Sequence, residues 1–341
     1  MLQKFKLIFH TISSTQKQFF IILTSLILLC LSISYCLFSS NTNFETPRHH
    51  LYFQTIDDLN EVIKSDFKFS LASFFLSLNF KNGLHKIPIN SSCYDIIKEL
   101  NTQPSKAVRI PIGDYHFRRG LTINVCKKLD IKSRALRRVL ADSSNPEIKK
   151  QFTSENIYCL LIQDTIWEYE NIRANELLNT LYDHWNSVWN KKRLLKAQEL
   201  NLTPIEITIL ASIVKAETKY VSEMPKVAGL YLNRLRDSIR LQSDPTVVYA
   251  NGQKPLRRIR SRHLKSQNPY NTYRHDGLPP GPVYTPTIEA IDAVLNHEKH
   301  DYFFFVSNPD LDGFHDFSKT YEEHKLKAKA YRRKITQKGI H

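Results

Sequence analysis

Glu217 ends the stretch LTPIEITILASIVKAE (residues 202–217) and is the residue of this chain best placed to move a proton. A carboxyl at the end of an apolar helical face loses hydration, and near a helix C-terminus it meets the negative end of the macrodipole. Both effects raise its pKa and leave it a proton to donate as a general acid. The plainer alternative is a glutamate at the edge of that face, reaching water or paired with an arginine. Taken alone, the helix favours the plainer alternative, because structural ion pairs occupy such places too. Other chemistries lack their signatures: the chain has no G-x-S-x-G elbow, P-loop, H-E-x-x-H or dinucleotide fingerprint. His297 and His300 stand three apart and are expected on the surface. No metal and no cofactor is expected.

A helix must carry Glu217, and its start is well marked. Thr203 suits the N-cap, Pro204 the first helical position, and Glu206 completes a capping box. At ~100° per residue, Ile209, Leu210, Ile213 and Val214 form one stripe with Glu217 on it, and Lys215 points away. Ser222 is placed to cap a following helix that carries Tyr231, Asn233 and Arg234, while Asp244 before Pro245 marks a further helix start. Asn271-Thr272-Tyr273 leads into Gly277-Leu278-Pro279-Pro280-Gly281-Pro282, a rigid stretch that suits a functional loop or a tight corner. Residues 302–306 predict a buried strand, and Thr320 with Glu323 caps a basic C-terminal helix.

Upstream, residues 51–53 and the proline-containing 84–89 predict strands, with helices at 56–63, at 67–80 and from a cap at 90–92 through Leu100. A further strand at 108–112 completes a small domain. Residues 115–200 read as mostly helical, ending in one amphipathic run over 175–200 whose Trp185 and Trp189 are expected in the core.

At 341 residues the chain can hold two domains, and 11% aromatic residues argue for a folded protein. Residues 19–38 carry no charge over 20 positions, after a segment containing Lys4, Lys6 and Lys17 and no acid. As a helix such a run is ~30 Å long, the thickness of a bilayer core, and no small-residue cleavage site follows it. An uncleaved anchor with the lysines inside is predicted. Cys93, Cys126 and Cys159 would lie in the exported part, with neither zinc-ligand nor C-x-x-C spacing; one disulfide is open to them, but buried thiols are the expected state. The net charge of +15 suggests an anionic partner. Export argues against nucleic acid, and the basic stretch at 254–265 has no interleaved aromatics for base stacking.

Several ordered motifs resemble one family, the MltG (YceG-like) endolytic murein transglycosylases. They are Leu210-Ala211-Ser212-Ile213-Val214 with Glu217-Thr218, Tyr231-Leu232-Asn233-Arg234-Leu235, Leu241-Gln242 with Asp244-Pro245-Thr246-Val247, Pro269-Tyr270-Asn271-Thr272-Tyr273, Gly277 to Pro282, and Gly313-Phe314-His315. The likeness covers residues 200–335 closely and is weaker upstream. It implies an α+β protein with a cytoplasmic tail (1–18), a transmembrane helix (19–38), a tether (39–50), a LysM-like domain (51–114), a helical connecting region (115–200) and a catalytic domain (201–341). It implies single-pass residence in the cell inner membrane with the catalytic domain outside the cytoplasm. Peptidoglycan glycan strands are the implied substrate, with cell-wall synthases as partners and no nucleic acid. The family's catalytic glutamate maps to Glu217. Asn233, Gln242, Asn271 and Tyr273 become candidate sugar-binding groups, together with Asp244 and Gly277 as candidates for the substrate site. Three departures are visible: Lys215 where many relatives carry an acid, Gln163-Asp164-Thr165-Ile166 in place of the usual signature, and no glycine over 236–240. The competing expectation is a tethered, non-catalytic peptidoglycan-binding scaffold.

Overall fold

The structure is a computed structural model that describes residues 14–38, 50–53, 67–81, 85–88, 91–102, 106–115, 118–252, 259–310 and 312–338. The chain divides into two compact units, Met1–Ala107 and Val108–His341.

In the first unit, α1 (Ser14–Phe38) precedes β1 (His50–Phe53), α2 (Phe67–Phe75), β2 (His85–Pro88) and α3 (Cys93–Leu100). β1 and β2 pair antiparallel, with His50 opposite Pro88 and Phe53 opposite His85. Ser92 caps α3, its hydroxyl accepting from the Asp95 amide as the expected cap requires. Phe69, Ala72, Ile87, Cys93, Ile96, Ile97 and Leu100 form the core, and Leu37 at the end of α1 packs against it. α1 exposes large apolar side chains, among them Phe19, Ile22, Leu28 and Leu31. Among the described residues, no helix is long and apolar enough to cross a membrane. The helix expected at 56–63, the tail before residue 14 and nearly all of the tether lie outside the described residues.

The second unit begins with β3 (Ala107–Ile112), α4 (Arg118–Val125), α5 (Ser133–Ala141), α6 (Pro146–Gln151) and β4 (Asp164–Tyr169). β3 pairs with β4. The strand expected to complete the small domain therefore belongs here. Among the described residues, β4 is the one strand within 115–200, a region otherwise helical: Ile166 and Glu168 turn inward while Thr165, Trp167 and Tyr169 supply a β-branched and aromatic alternation. Glu168 is fully buried, and its carboxylate accepts the Thr180 hydroxyl.

The run expected over 175–200 is two helices, α7 (Ala174–Val188) and α8 (Lys191–Glu199). The chain leaves helical geometry at Trp189, and the Asn190 side chain accepts the Arg193 amide to start α8. Trp185 and Trp189 are buried against each other, as expected.

α9 (Pro204–Glu217) lies at the centre of the unit. Its capping box is formed: the Glu206 amide donates to Thr203 Oγ1 at 3.2 Å and the Thr203 amide to Glu206 Oε2 at 2.8 Å. All eight residues from 207 to 214 are buried, so no single stripe faces the core. A helix that is apolar on most sides needs neighbours on most sides. α9 has them in α8, α10 (Met224–Arg236), α11 (Asp244–Ala250) and α13 (Ile288–Leu295), with the short α12 (Ser261–Leu264) between the last two in sequence. α10 begins at Met224 with Glu223, not Ser222, at the cap position, and no side chain caps it. The unit ends with the antiparallel pair β5 (Phe304–Ser307) and β6 (His315–Ser318), half-buried and not fully buried at β5, and with α14 (Tyr321–Gln337). Thr320 caps α14 as expected, its hydroxyl accepting the Glu323 amide, but the Glu323 carboxylate accepts the Lys319 amide, so the expected capping box is only half formed.

Candidate active site

α9 ends one turn beyond its buried run at Glu217, the last helical residue, and delivers that carboxyl into a cavity of about 360 Å³. α10 brings Tyr231 and Arg234, one turn apart, to the same cavity. The chain then turns through Ser238 and Gln242, both at positive φ, and enters α11. Two hydroxyls converge on one oxygen of Glu217: Tyr231 donates to Oε1 at 2.6 Å and Ser243 Oγ donates to the same atom at 2.6 Å. Both residues are buried.

Ser243 occupies the N-cap position of α11 but makes no cap bond with its side chain. Its hydroxyl is turned to Glu217, and its amide is held by Thr272 Oγ1 at 3.0 Å. Asp244, expected as the cap, is instead the first helical residue, and Tyr273 donates to its Oδ1 at 2.8 Å. Enclosure by the protein raises the pKa of Glu217. The bonds from Ser243 and Tyr231 act in the opposite direction, the charge of Asp244 adds to the rise, His315 opposes it, and burial wins. Glu217 thus holds its proton to higher pH than a free glutamate does, with Oε1 occupied as an acceptor. Its other oxygen is left as the position for a transferable proton.

Arg234 supplies the cation of the cavity. Its guanidinium is buried and donates to the carbonyls of Phe303 (2.6 Å), Arg240 (2.9 Å) and Leu241 (3.1 Å) and to Gln242 Oε1 (3.3 Å). Burial lowers its pKa, and it sits 5.2 Å from the Phe304 ring centroid. Phe304, Phe305, Tyr321 and His324 complete an aromatic wall.

Of the expected site residues, Glu217, Gln242, Asp244 and Tyr273 line this cavity. Asn233 and Asn271 do not. The Asn233 amide donates to the carbonyls of His300 (2.7 Å) and Tyr302 (3.1 Å), tying α10 to the approach of β5. Asn271 is fully buried; it donates to the carbonyls of Leu264 and Ser266 and accepts the Tyr273 amide, so it shapes the loop that presents Tyr273. Gly277 lies outside the cavity lining and takes a left-handed φ of 74°, which explains a glycine there without a ligand. Ser243 and Tyr231 were not expected to act. The pattern Ser-Asp-Pro fits a cap at either of its first two residues, and a tyrosine on an apolar helical face reads as core. The spacing Tyr231–Arg234 was the available signal.

Glu223 sits behind the site: it accepts the His315 amide at 2.7 Å and pairs with His315 Nδ1 at 3.1 Å. Burial raises its pKa, but these bonds, a hydrogen bond from Thr218 and the charge of His315 together outweigh it and lower the pKa. His297 and His300 are half-buried, not surface residues, and His300 Nε2 lies 2.9 Å from the Lys226 carbonyl. Among the described residues no group of side chains could hold a metal, and Cys93, Cys126 and Cys159 are buried. Burial pushes the Cys126 thiol up to about 11.

A family model described as the YceG-like family matches residues 47–330. The endolytic murein transglycosylase of Bacillus subtilis (strain 168) is 34% identical over 126 residues, 37% of this chain and 34% of that protein. The endolytic murein transglycosylase of Streptococcus pneumoniae (strain R6) is 30% identical over 145 residues, 40% of this chain and 26% of that protein. The chain thus spans about a third or less of the length of the curated relatives it matches. A crystal structure of a yceG-like protein from Listeria monocytogenes aligns with a TM-score of 0.53 over 82% of this chain and 97% of that one. At 22% identity that likeness establishes the α+β fold alone.

Proposed function

The chain belongs to the YceG-like family, and from that membership we propose that it is a lytic transglycosylase that cuts peptidoglycan glycan strands internally, with Glu217 as its acid and base. The observation that carries the reading is the enclosed Glu217 carboxyl, held at one oxygen by Tyr231 and Ser243. The other oxygen gives its proton to the glycosidic oxygen between MurNAc and GlcNAc, and the C1–O bond breaks with its electron pair passing to the leaving sugar. The resulting carboxylate takes the proton of the muramic C6 hydroxyl as that oxygen bonds to C1. The product is a 1,6-anhydro end, and Glu217 is again protonated. One carboxyl whose pKa is raised suffices for this cycle, where hydrolysis normally needs two. Gln242 and Tyr273 are the proposed sugar contacts, and Asn233, Asn271 and Gly277 support the loops behind them.

Asp244 in the same cavity gives a second reading some footing, since a second carboxylate could activate water and yield ordinary reducing ends. Its bond from Tyr273 favours a fixed, electrostatic role. Digestion of purified peptidoglycan decides between them: anhydro-muramic ends are lighter by one water. Glu217→Gln keeps the acceptor oxygen and removes the proton, so cleavage falls by ~10²–10⁴-fold with the fold intact. Unchanged products at an unchanged rate would remove Glu217 from the chemistry. Glycan binding without cutting by both proteins would favour the scaffold.

We further propose that residues 19–38 anchor the chain in the cell inner membrane, with residues 1–18 inside and a tether, a LysM-like domain, a connecting region and the catalytic domain outside. The exposed apolar surface of α1 supports this, because such a face is not stable in water. Cell-wall synthases are the proposed neighbours there.

A further inference from the structure

α14 is the most basic helix of the second unit, with six Lys or Arg against two Glu and no buried residue. A solvated basic helix needs no ligand, but this one starts inside the candidate cleft. Tyr321 and His324, from its first turn, line the cavity that holds Glu217. Phe304 lies under both, 5.8 Å from the Tyr321 ring and stacked on His324 at 5.5 Å. An aromatic wall of this kind offers flat faces to the C–H surface of a sugar ring. Positive charge follows directly along the helix. Lys325 stands four residues after Tyr321, with its ammonium 5.0 Å from that ring. Arg332 lies two turns beyond His324; burial first, then the charges of Arg234 and Arg332, hold the His324 imidazole below its ordinary pKa.

Neither cation is committed to a strong partner. Lys325 pairs with Glu322 at 3.0 Å, but both side chains are more than half exposed, and such pairs exchange readily. Arg332 spends Nε on the Ala328 carbonyl at 3.2 Å and is exposed. A guanidinium on an exposed helix surface suits recognition of carboxylates.

We infer that the leading edge of α14, from Tyr321 through Lys325 to Arg332, extends the cleft into a subsite for the carboxylates of stem peptides carried by the glycan strand. The inference rests on the peptidoglycan reading above. Cationic residues at this edge select strands that still bear their peptides, while Tyr321 orients the adjoining sugar.

The test compares stem-bearing glycan strands with strands stripped of their peptides by an amidase, using the full chain in detergent. The wild type prefers stem-bearing strands in kcat/KM, and moderate salt erodes that preference. In the double charge reversal Lys325→Glu, Arg332→Glu, the ratio of the two kcat/KM values falls roughly tenfold, through KM. Both residues are exposed, and the milder Lys325→Gln, Arg332→Gln pair should shift the ratio in the same direction. A wild-type ratio of one, or an equal loss on both substrates, overturns the subsite. Binding of the two strand types to Glu217→Gln reads the subsite without turnover. If the wild type cuts neither strand but that variant still prefers stem-bearing strands, the catalytic reading fails and the subsite stands.

Discussion

The neighbours of Glu217 pull its proton affinity in opposite directions. Burial disfavours the carboxylate most and the charge of Asp244 adds to it, against the bonds that Ser243 and Tyr231 donate to Oε1. As a general acid Glu217 must be protonated, so the rate falls as pH rises through its raised pKa. Removing a donor raises that pKa further: Ser243→Ala and Tyr231→Phe move the alkaline limb of kcat to higher pH. Asp244→Asn removes a negative neighbour and moves it lower. Initial rates across the pH range check this, and a common direction for all three variants would show that Glu217 does not set the limb. A carboxylate at the end of a run of Ile, Leu and Val is visible in the sequence. That context alone favours a glutamate reaching water or an arginine, and the resemblance carries its expectation as the acid. Asn233 and Asn271 were not legible, because an amide serves a backbone carbonyl as well as a sugar hydroxyl. Only the distances to His300, Tyr302, Leu264 and Ser266 separate the two uses.

Helix starts with a local capping grammar were readable, as at Thr203, Ser92 and Thr320, because donor and acceptor lie within three residues. Failures came where tertiary demands took the side chain elsewhere. Ser243 gives its hydroxyl to Glu217, and Glu223 gives its carboxylate to His315, so α11 and α10 start without side-chain caps. Pairing of β3 with β4 joins segments more than fifty residues apart, which no local pattern announces. Packing of α10 is equally non-local. A Cβ on Gly229 would stand 2.3 Å from the Glu298 carbonyl oxygen and 2.9 Å from His300 Nε2. Helix propensity favours alanine over glycine by about 1 kcal/mol, but a backbone oxygen cannot swing aside. Gly229→Ala should therefore destabilise by roughly 1–3 kcal/mol, the cost of overpacking. Thermal unfolding measures it. A raised melting temperature would mean that α10 can draw back from residues 298–300 at little cost.

On the scale of the whole molecule, two cores of very different size divide the chain. The first unit has seven buried core residues among those described, while the second surrounds α9 with a core drawn from most of its helices. Small cores bury a smaller share of their surface and are marginal alone. The large unit contains every residue lining the Glu217 cavity, and none comes from before residue 108. Composition hid this division, because aromatic and aliphatic residues occur throughout; what separates the units is which segments pack together. Residues 108–341 expressed alone should consequently fold, melt within a few degrees of the main transition of the full chain, and cut isolated glycan strands. The full chain should float with lipid vesicles in a density gradient, whereas residues 108–341 should remain in the aqueous fraction, since the apolar run at 19–38 has been removed. Each half of this expectation can fail separately. An unfolded or inactive fragment would show that the first unit helps build the site. A full chain that does not float, although residues 108–341 fold and cut, would leave the chemistry in place and remove the anchor.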